Sequence, residues 1–176
     1  DLDTVWVYSP TKEHREAFAA AANDSLDASV AAVASSAAAV EDADVVVTAT
    51  NASDPVFDGE NLEDGAHVTA MGQYHPKKRE LDETTIERAT YVPDLRARVS
   101  QDAGSFLAAV EAGVVDEDHV HAELGEVVAG KAEGRQSPED VTVFDSGGTG
   151  IETVAAAHLL YERAVEQDLG TEIPFA

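Results

Sequence analysis

The sequence predicts an α/β fold built on a doubly wound, mostly parallel sheet, and three observations carry that prediction. Short β-branched runs alternate with stretches of helix formers along the chain. The segment Ala43-Asp-Val-Val-Val-Thr-Ala-Thr-Asn51 holds an apolar run that breaks off into small hydroxylated residues, and buried parallel strands read this way. The 176 residues, 44% of them hydrophobic, are enough to enclose one core.

Val5 to Tyr8 reads as the first strand, and Ser9-Pro10-Thr11 as a turn into a helix over Lys12 to Ala22, broken by Asn23 to Ser25. Ala28 to Val33 is a second, weak strand. Ser35 or Ser36 caps a short helix through Glu41. Asp44 to Thr48 is the third strand, and Asp54-Pro55 and Asp58-Gly59 mark a loop. The fourth strand, His67 to Met71, is entered through Asp64-Gly65 and left through Gly72. Glu83 to Arg88 is helical, and Thr90 to Val92 is a short strand ended by Pro93. Phe106 to Glu111 is helical with Gly113 as its stop, and Leu124 to Ala129 adds a helical turn. Gly134 to Pro138 is a loop. Val141 to Phe144 is the last strand and leads into Asp145-Ser-Gly-Gly-Thr-Gly150. Ile151 to Gln167 forms the longest helix, stopped near Gly170. No internal repeat or flexible linker divides the chain.

Thirty-five acidic side chains against eleven basic ones leave a net charge of −24. A phosphate backbone needs clustered positive charge, and the four lysines are spread thinly, so nucleic acid is set aside as a partner. Self-repulsion at this charge destabilises a compact state, but at molar salt the Debye length is only about 3 Å and the repulsion is screened. With abundant alanine and scarce lysine, the composition points to a salt-accumulating halophile. No apolar run approaches the ~20 residues of a membrane span, and no charged-then-apolar signal segment opens the sequence. Cysteine is absent, which removes disulfides and thiolate chemistry. A cytoplasmic protein without a membrane partner is expected.

Ligands of open α/β sheets bind beyond the carboxyl ends of the strands. Thr48, Ala49 and Thr50 therefore stand where a nucleotide cofactor would be held, although a plain strand running into a polar loop fits that segment equally. A dinucleotide-binding domain opens with a strand, a G-x-G-x-x-G turn and a helix. That fingerprint does not occur, and Gly147, Gly148 and Gly150 have the wrong spacing. In such a fold Val5 to Tyr8 would be the second strand, whose end handles the adenosine ribose. The turn there is neutral and is followed by Lys12 and Arg15, which suits a 2′-phosphate, hence NADP, and equally an ordinary helix start.

Several segments taken together resemble the ornithine cyclodeaminase/mu-crystallin family. They are Val-Tyr-Ser-Pro-Thr (7–11), Ala-Asp-Val-Val-Val-Thr-Ala-Thr-Asn (43–51), Gly-Ala-His-Val-Thr-Ala-Met-Gly (65–72), Arg-Glu-Leu-Asp (79–82), Glu-Leu-Gly-Glu-Val-Val-Ala-Gly-Lys (123–131), Gly-Arg-Gln-Ser (134–137) and Val-Thr-Val-Phe-Asp-Ser-Gly-Gly (141–148). Each is weak alone; the ordered set is specific and spans nearly the whole chain. The resemblance implies a Rossmann-like domain that uses NAD or NADP, normally preceded by a substrate and dimerisation domain. Members include ornithine cyclodeaminases, alanine dehydrogenases and imine reductases, which exchange hydride between a nicotinamide and the α-carbon of a small amino acid or imine. On this resemblance residues 1–150 form a partial dinucleotide-binding domain without its first strand and glycine-rich turn. Residues 151–176 form a C-terminal helix returning towards an N-terminal substrate domain that the chain lacks. A homodimer through that domain is implied, and the isolated chain is expected to be inactive.

Carried over by position, the resemblance puts Ser9 at the adenosine ribose and Thr50 along the cofactor near its nicotinamide half. The backbone of Val68, Thr69, Ala70 and Met71 passes under the nicotinamide. Lys78 contacts the cofactor, Ser146 touches the nicotinamide end, and Gly147 lies beside the substrate, where many members have an apolar side chain. Many members also place an acid/base Asp two residues beyond the Gly72 position. Here that residue is Tyr74, facing the substrate, and a phenol with an ordinary pKa near 10 is a poor base at neutral pH. His75 beside it titrates in a more useful range. Two functions therefore stand: an NAD(P)-dependent oxidoreductase or cyclodeaminase, or a non-catalytic dinucleotide-binding protein that has lost the acid/base Asp.

His119 and His121 alternate as on one strand face with Glu123 following. Scattered surface polarity accounts for them better than a metal site, and the resemblance supplies no metal. His67 helps to set the turn into the fourth strand. Acidic runs such as Asp116-Glu117-Asp118 are solvated faces without EF-hand spacing.

Overall fold

The computed structural model describes residues 2–171 and 173. Six strands run in parallel pairs. β1 (Thr4–Val7) pairs with β2 (Ser29–Ala32). β3 (Val45–Thr48), β4 (His67–Ala70), β5 (Ala89–Pro93) and β6 (Val141–Asp145) make a second sheet in the order β3-β4-β6-β5. Parallel neighbours need crossovers, and these carry α1 (Lys12–Asn23), α2 (Ala37–Val40), α3 (Glu83–Arg88), α4 (Arg96–Asp102), α5 (Gly104–Ala112) and α6 (Leu124–Val128). α7 (Gly150–Glu166) follows β6. The expected parallel α/β architecture is present, and every strand and helix read from the sequence recurs, most with ends within one or two residues.

One helix escaped the sequence. In α4 only Val99 is buried, and its N-cap Leu95 makes no side-chain capping bond, so neither a periodic apolar stripe nor a cap residue announces it.

The core lies on the four-stranded sheet. Val68 of β4 and Tyr91 of β5 are fully buried together with Leu81 and Ile86, and the rings of Tyr91 and Phe106 pack with centroids 4.9 Å apart and planes tilted by 32°. Complete burial of such apolar side chains contributes roughly 1.5–3 kcal/mol each. β3 departs from the expectation of a strand buried on both faces. Val46 and Thr48 are buried, but Val45 and Val47 are 54% and 59% exposed, because nothing among the described residues covers that face.

The two sheets do not join. β1 pairs only with β2 and β3 only with β4 among the described residues, so each keeps an unpaired edge. Between them lies a cavity of about 940 Å³, lined by Trp6, Tyr8 and Ser9 from one side and by Val46, Thr48 and Thr50 from the other. α7 too lacks a packing partner among the described residues. Its start is fixed locally by a reciprocal cap between Thr149 and Glu152, yet it buries no residue, and Ile151, Val154, Leu160, Tyr161 and Val165 are each more than half exposed. Among the described residues no helix is long and apolar enough to cross a membrane.

Candidate functional site

Because β3, β4 and β6 are parallel, their carboxyl ends emerge side by side, and backbone pairing continues one residue past them. The Met71 N–H donates to the Thr48 carbonyl at 2.9 Å, and the Ser146 N–H donates to the Ala70 carbonyl at 2.8 Å. Thr50, Met71 and Ser146 therefore share one sheet edge. A single buried side chain ties two of the loops. The Glu80 carboxyl, 1% exposed, accepts from Thr50 N–H at 2.6 Å, Gly72 N–H at 2.8 Å and Thr48 Oγ1 at 3.1 Å. Gly72 must be glycine here, since a Cβ would collide with the Thr50 backbone and the Glu80 carboxyl.

Beside this edge lies a cluster of buried protic groups. The Tyr91 hydroxyl donates to Asp145, which ends β6. Burial pushes the Asp145 carboxyl up to about 7 against the lowering effect of that hydrogen bond, and the charges of Asp94 and Glu80 add to the rise. Asp94 accepts from Gly148 N–H at 2.7 Å, and burial raises its pKa as well. Arg98 donates to the Gly148 carbonyl at 3.0 Å and to the Gly147 carbonyl at 3.4 Å, and its guanidinium lies 4.9 Å from the centre of the Tyr74 ring. Asp94 and Arg98 thus hold the loop after β6 from both its N–H and C=O sides.

Tyr74 packs against the core, and its hydroxyl is buried without a hydrogen-bond partner among the described residues. Burial, followed by the Asp145 charge, drives the phenol well above its ordinary range, so it stays protonated at any physiological pH. A Cβ on Gly147 would stand 2.7 Å from two Tyr74 ring carbons.

The structure gathers most of the residues singled out by sequence. Ser9 and Thr50 line the same cavity, while Met71 and Ser146 lie on the edge next to Thr50. Val68 and Ala70 point their side chains into the core, so at this edge they offer only backbone. Thr69 is half-buried, and its hydroxyl meets His67 Nε2 at 3.1 Å. Tyr74 and Gly147 touch one another across the edge. Lys78 makes contacts of another kind: its N–H closes a turn on the His75 carbonyl at 3.0 Å, and its own carbonyl abuts Gly104. Among the described residues no hydrogen bond joins it to Thr50 or Ser146.

The cations after β1 are engaged within the fold. Lys12 pairs with Glu16 at 3.6 Å, and Arg15 donates to the Ser9 carbonyl at 2.8 Å beneath the Tyr8 ring. His119 and His121 direct Nε2 to the carbonyls of Ile86 and Glu133, both at 2.7 Å, and no group of three potential metal ligands assembles among the described residues. His67 bridges Thr142 and Thr69. Glu80, Asp94, Arg98 and Asp145 were not singled out as functional residues from sequence. The one usable signal was Asp145 itself, a carboxyl closing an apolar strand.

Comparison with known proteins agrees with this geometry. The profile of the Ornithine cyclodeaminase/mu-crystallin family matches residues 1–168. A Delta(1)-pyrroline-2-carboxylate reductase of Bacillus cereus is 35% identical over 99% of the chain and 54% of its own length. An alanine dehydrogenase of Archaeoglobus fulgidus is 40% identical over 75% of the chain and 41% of its own length. Among solved structures, Thermococcus litoralis Delta(1)-pyrroline-2-carboxylate reductase in complex with NADH and L-proline superposes with a TM-score of 0.90 at 33% identity, over 97% of this chain and 53% of that one. An archaeal alanine dehydrogenase dimer with bound NAD gives 0.84 at 34% identity, over 99% and 53%. The chain spans about half the length of the relatives it matches. With a profile match over nearly its full length and the parallel fold to go with it, the chain belongs to the ornithine cyclodeaminase/mu-crystallin family.

Proposed function

We propose that this chain is the nicotinamide-dinucleotide-binding half of an oxidoreductase acting on a small amino acid or cyclic imino acid. The carrying observation is the convergence of Thr50, Met71 and Ser146 on one sheet edge, beside the cavity that Ser9 and Thr50 line. The residues fit such a cofactor: hydroxyls at Thr50 and Ser146, an exposed thioether at Met71, and a side-chain-free backbone at Gly72. When bound, the dinucleotide supplies or accepts hydride at its nicotinamide. The chain's part is to hold and orient it and to wall the crevice with Tyr74 and Gly147. NAD(H) is favoured over NADP(H), because the two superposed relatives carry NADH and NAD.

The unpaired edges of β1 and β3 take a further parallel strand in the whole protein, uniting the two sheets into one doubly wound sheet, with the glycine-rich turn at that strand's end. This supports residues 1–150 as a partial dinucleotide-binding domain. The exposed apolar face of α7 within 151–176 packs on the substrate-binding portion, through which the protein dimerises. The doubling of length in the relatives supports both assignments.

Tyr74 favours a second reading. A buried phenol that stays neutral cannot accept the reaction's proton, so the base must be another group of the whole protein; otherwise the site binds the dinucleotide without turnover. Assay of the full-length protein in concentrated salt decides between them. NADH oxidation with cyclic imino acids, or NAD reduction with small amino acids, supports the enzyme. Tight NADH binding with no turnover supports the binding protein.

A further inference from the structure

We propose that Glu80 is the positioning residue of the dinucleotide crevice: one buried carboxyl that fixes the loops after β3 and β4 at the separation the cofactor requires. The inference rests on the cofactor reading above.

Glu80 sits in Arg79-Glu80-Leu81-Asp82, between β4 and α3. Its sequence neighbours are conventionally placed for a helix start: Arg79 pairs with Glu83 at 2.5 Å, and Asp82 caps α3 by accepting from Thr85 N–H at 2.8 Å. Of the three charged residues in this segment, Glu80 alone is buried. No cation pairs with it among the described residues. Three donors compensate it instead, two of them peptide N–H groups of the crevice loops themselves.

The position of those donors is the argument. Thr50 lies two residues beyond the end of β3 and Gly72 two residues beyond the end of β4. The strand ladder no longer holds either residue, so its place depends on other bonds. Glu80 Oε1 takes the Thr50 N–H, and Oε2 takes both the Gly72 N–H and the Thr48 hydroxyl. Two further features hold the loops together. The Gln73 side chain donates to the Thr50 carbonyl at 3.1 Å, and the absent Cβ at Gly72 lets the two backbones touch. Only a group with two acceptor oxygens and no donor serves this role. A glutamine in its place turns an N–H₂ towards one of the amides and leaves a buried donor unsatisfied. Glu80 itself is buried beneath the loops, so it acts through Thr50 and Gly72 without being a wall of the crevice.

The test uses full-length protein in concentrated salt, with NADH as the probe. Affinity is read by fluorescence titration and loop order by amide hydrogen exchange. Glu80→Gln is expected to weaken NADH binding about tenfold or more, the size expected for losing a hydrogen bond to a charged group. The Thr50 and Gly72 amides should exchange faster while the Val68 amide does not change. Ile86→Val, which loosens the core away from the crevice, should leave NADH affinity unchanged, so general destabilisation is separated from positioning. Thr48→Val removes one of the three donors and keeps the side-chain shape. It decides the matter should Glu80→Gln not fold: because Thr48 also lines the cavity, the reading is amide exchange, and faster exchange at Thr50 and Gly72 with weaker NADH affinity supports the inference, while unchanged exchange there overturns it whatever the affinity. Wild-type affinity in a folded Glu80→Gln overturns it too, while leaving the cofactor reading intact. Failure of the wild-type protein to bind NADH overturns the cofactor reading instead, and with it the inference.

Discussion

The ring of Tyr74 occupies the space that a side chain on Gly147 would need, with two ring carbons 2.7 Å from the position of its Cβ. The two residues lie 73 positions apart in sequence yet form one surface, and Arg98 touches both, 4.9 Å from the ring centre and 3.4 Å from the Gly147 carbonyl. Each therefore constrains the other.

Gly147→Val is expected to destabilise the protein by about 1–3 kcal/mol, the usual result of overpacking a filled space. In a Tyr74→Ala background the same change should cost less than half as much, because the colliding ring is gone. Chemical denaturation of the four proteins of this cycle gives the coupling. Additive effects would mean that the ring and the glycine are independent.

Asp145 makes stability pH-dependent. Its folded pKa is raised to about 7 from the 3.8 of an ordinary aspartate, so the folded state binds more protons than the unfolded chain between those values. Its contribution is therefore complete below about pH 4 and is lost as pH rises through about 7. Asp145→Asn keeps an acceptor for Tyr91 and removes the titration. Relative to Asp145→Asn, the wild-type protein should lose on the order of a few kcal/mol between pH 4 and 8. Denaturation curves of both proteins across that range check this, and parallel pH profiles would refute it.

A net charge of −24 predicts strong salt dependence. Thermal unfolding should move to higher temperature from 0.1 M to 3 M KCl as the Debye length falls from about 10 Å to about 3 Å or less. A melting temperature indifferent to salt would remove the halophilic reading, which rests on composition alone.

The apolar face of α7 predicts association of the isolated chain. Light scattering in concentrated salt should find more than one copy per particle, and replacing Leu160 and Tyr161 by glutamate should lower the mass without unfolding the sheet. Both are more than half exposed, so their loss removes no buried contact. A compact monomer in the unmodified chain would contradict the prediction.

The sequence made the strands legible because β-branched runs such as Val45 to Thr48 differ sharply from the alanine-rich stretches between them. Thr50 was legible because ligands of open parallel sheets bind beyond the strand ends, whereas Met71 and Ser146 were singled out only through the family resemblance. The sequence did not reveal Glu80. An acid next to Arg79 and two residues from Asp82 reads as surface, and only donors 8 and 30 residues away in the chain make its burial tolerable. The fate of Tyr74 was hidden for a similar reason. Its direction depends on the empty space over Gly147 and on Arg98, neither near it in sequence. β3 misled in another way: its composition fits a strand covered on both faces, whereas the residues described here cover one.

The most direct test of the dinucleotide crevice uses Trp6, the one tryptophan of these 176 residues, with its signal taken as the difference between the full-length protein and its Trp6→Phe variant. Trp6 lines the same cavity as Thr50, so NADH held there lies close enough to accept its excitation. Titration of the full-length protein with NADH in concentrated salt should quench Trp6 fluorescence and raise nicotinamide emission with one saturable affinity, stronger for NADH than for NADPH. Unchanged Trp6 emission up to millimolar NADH would contradict the account.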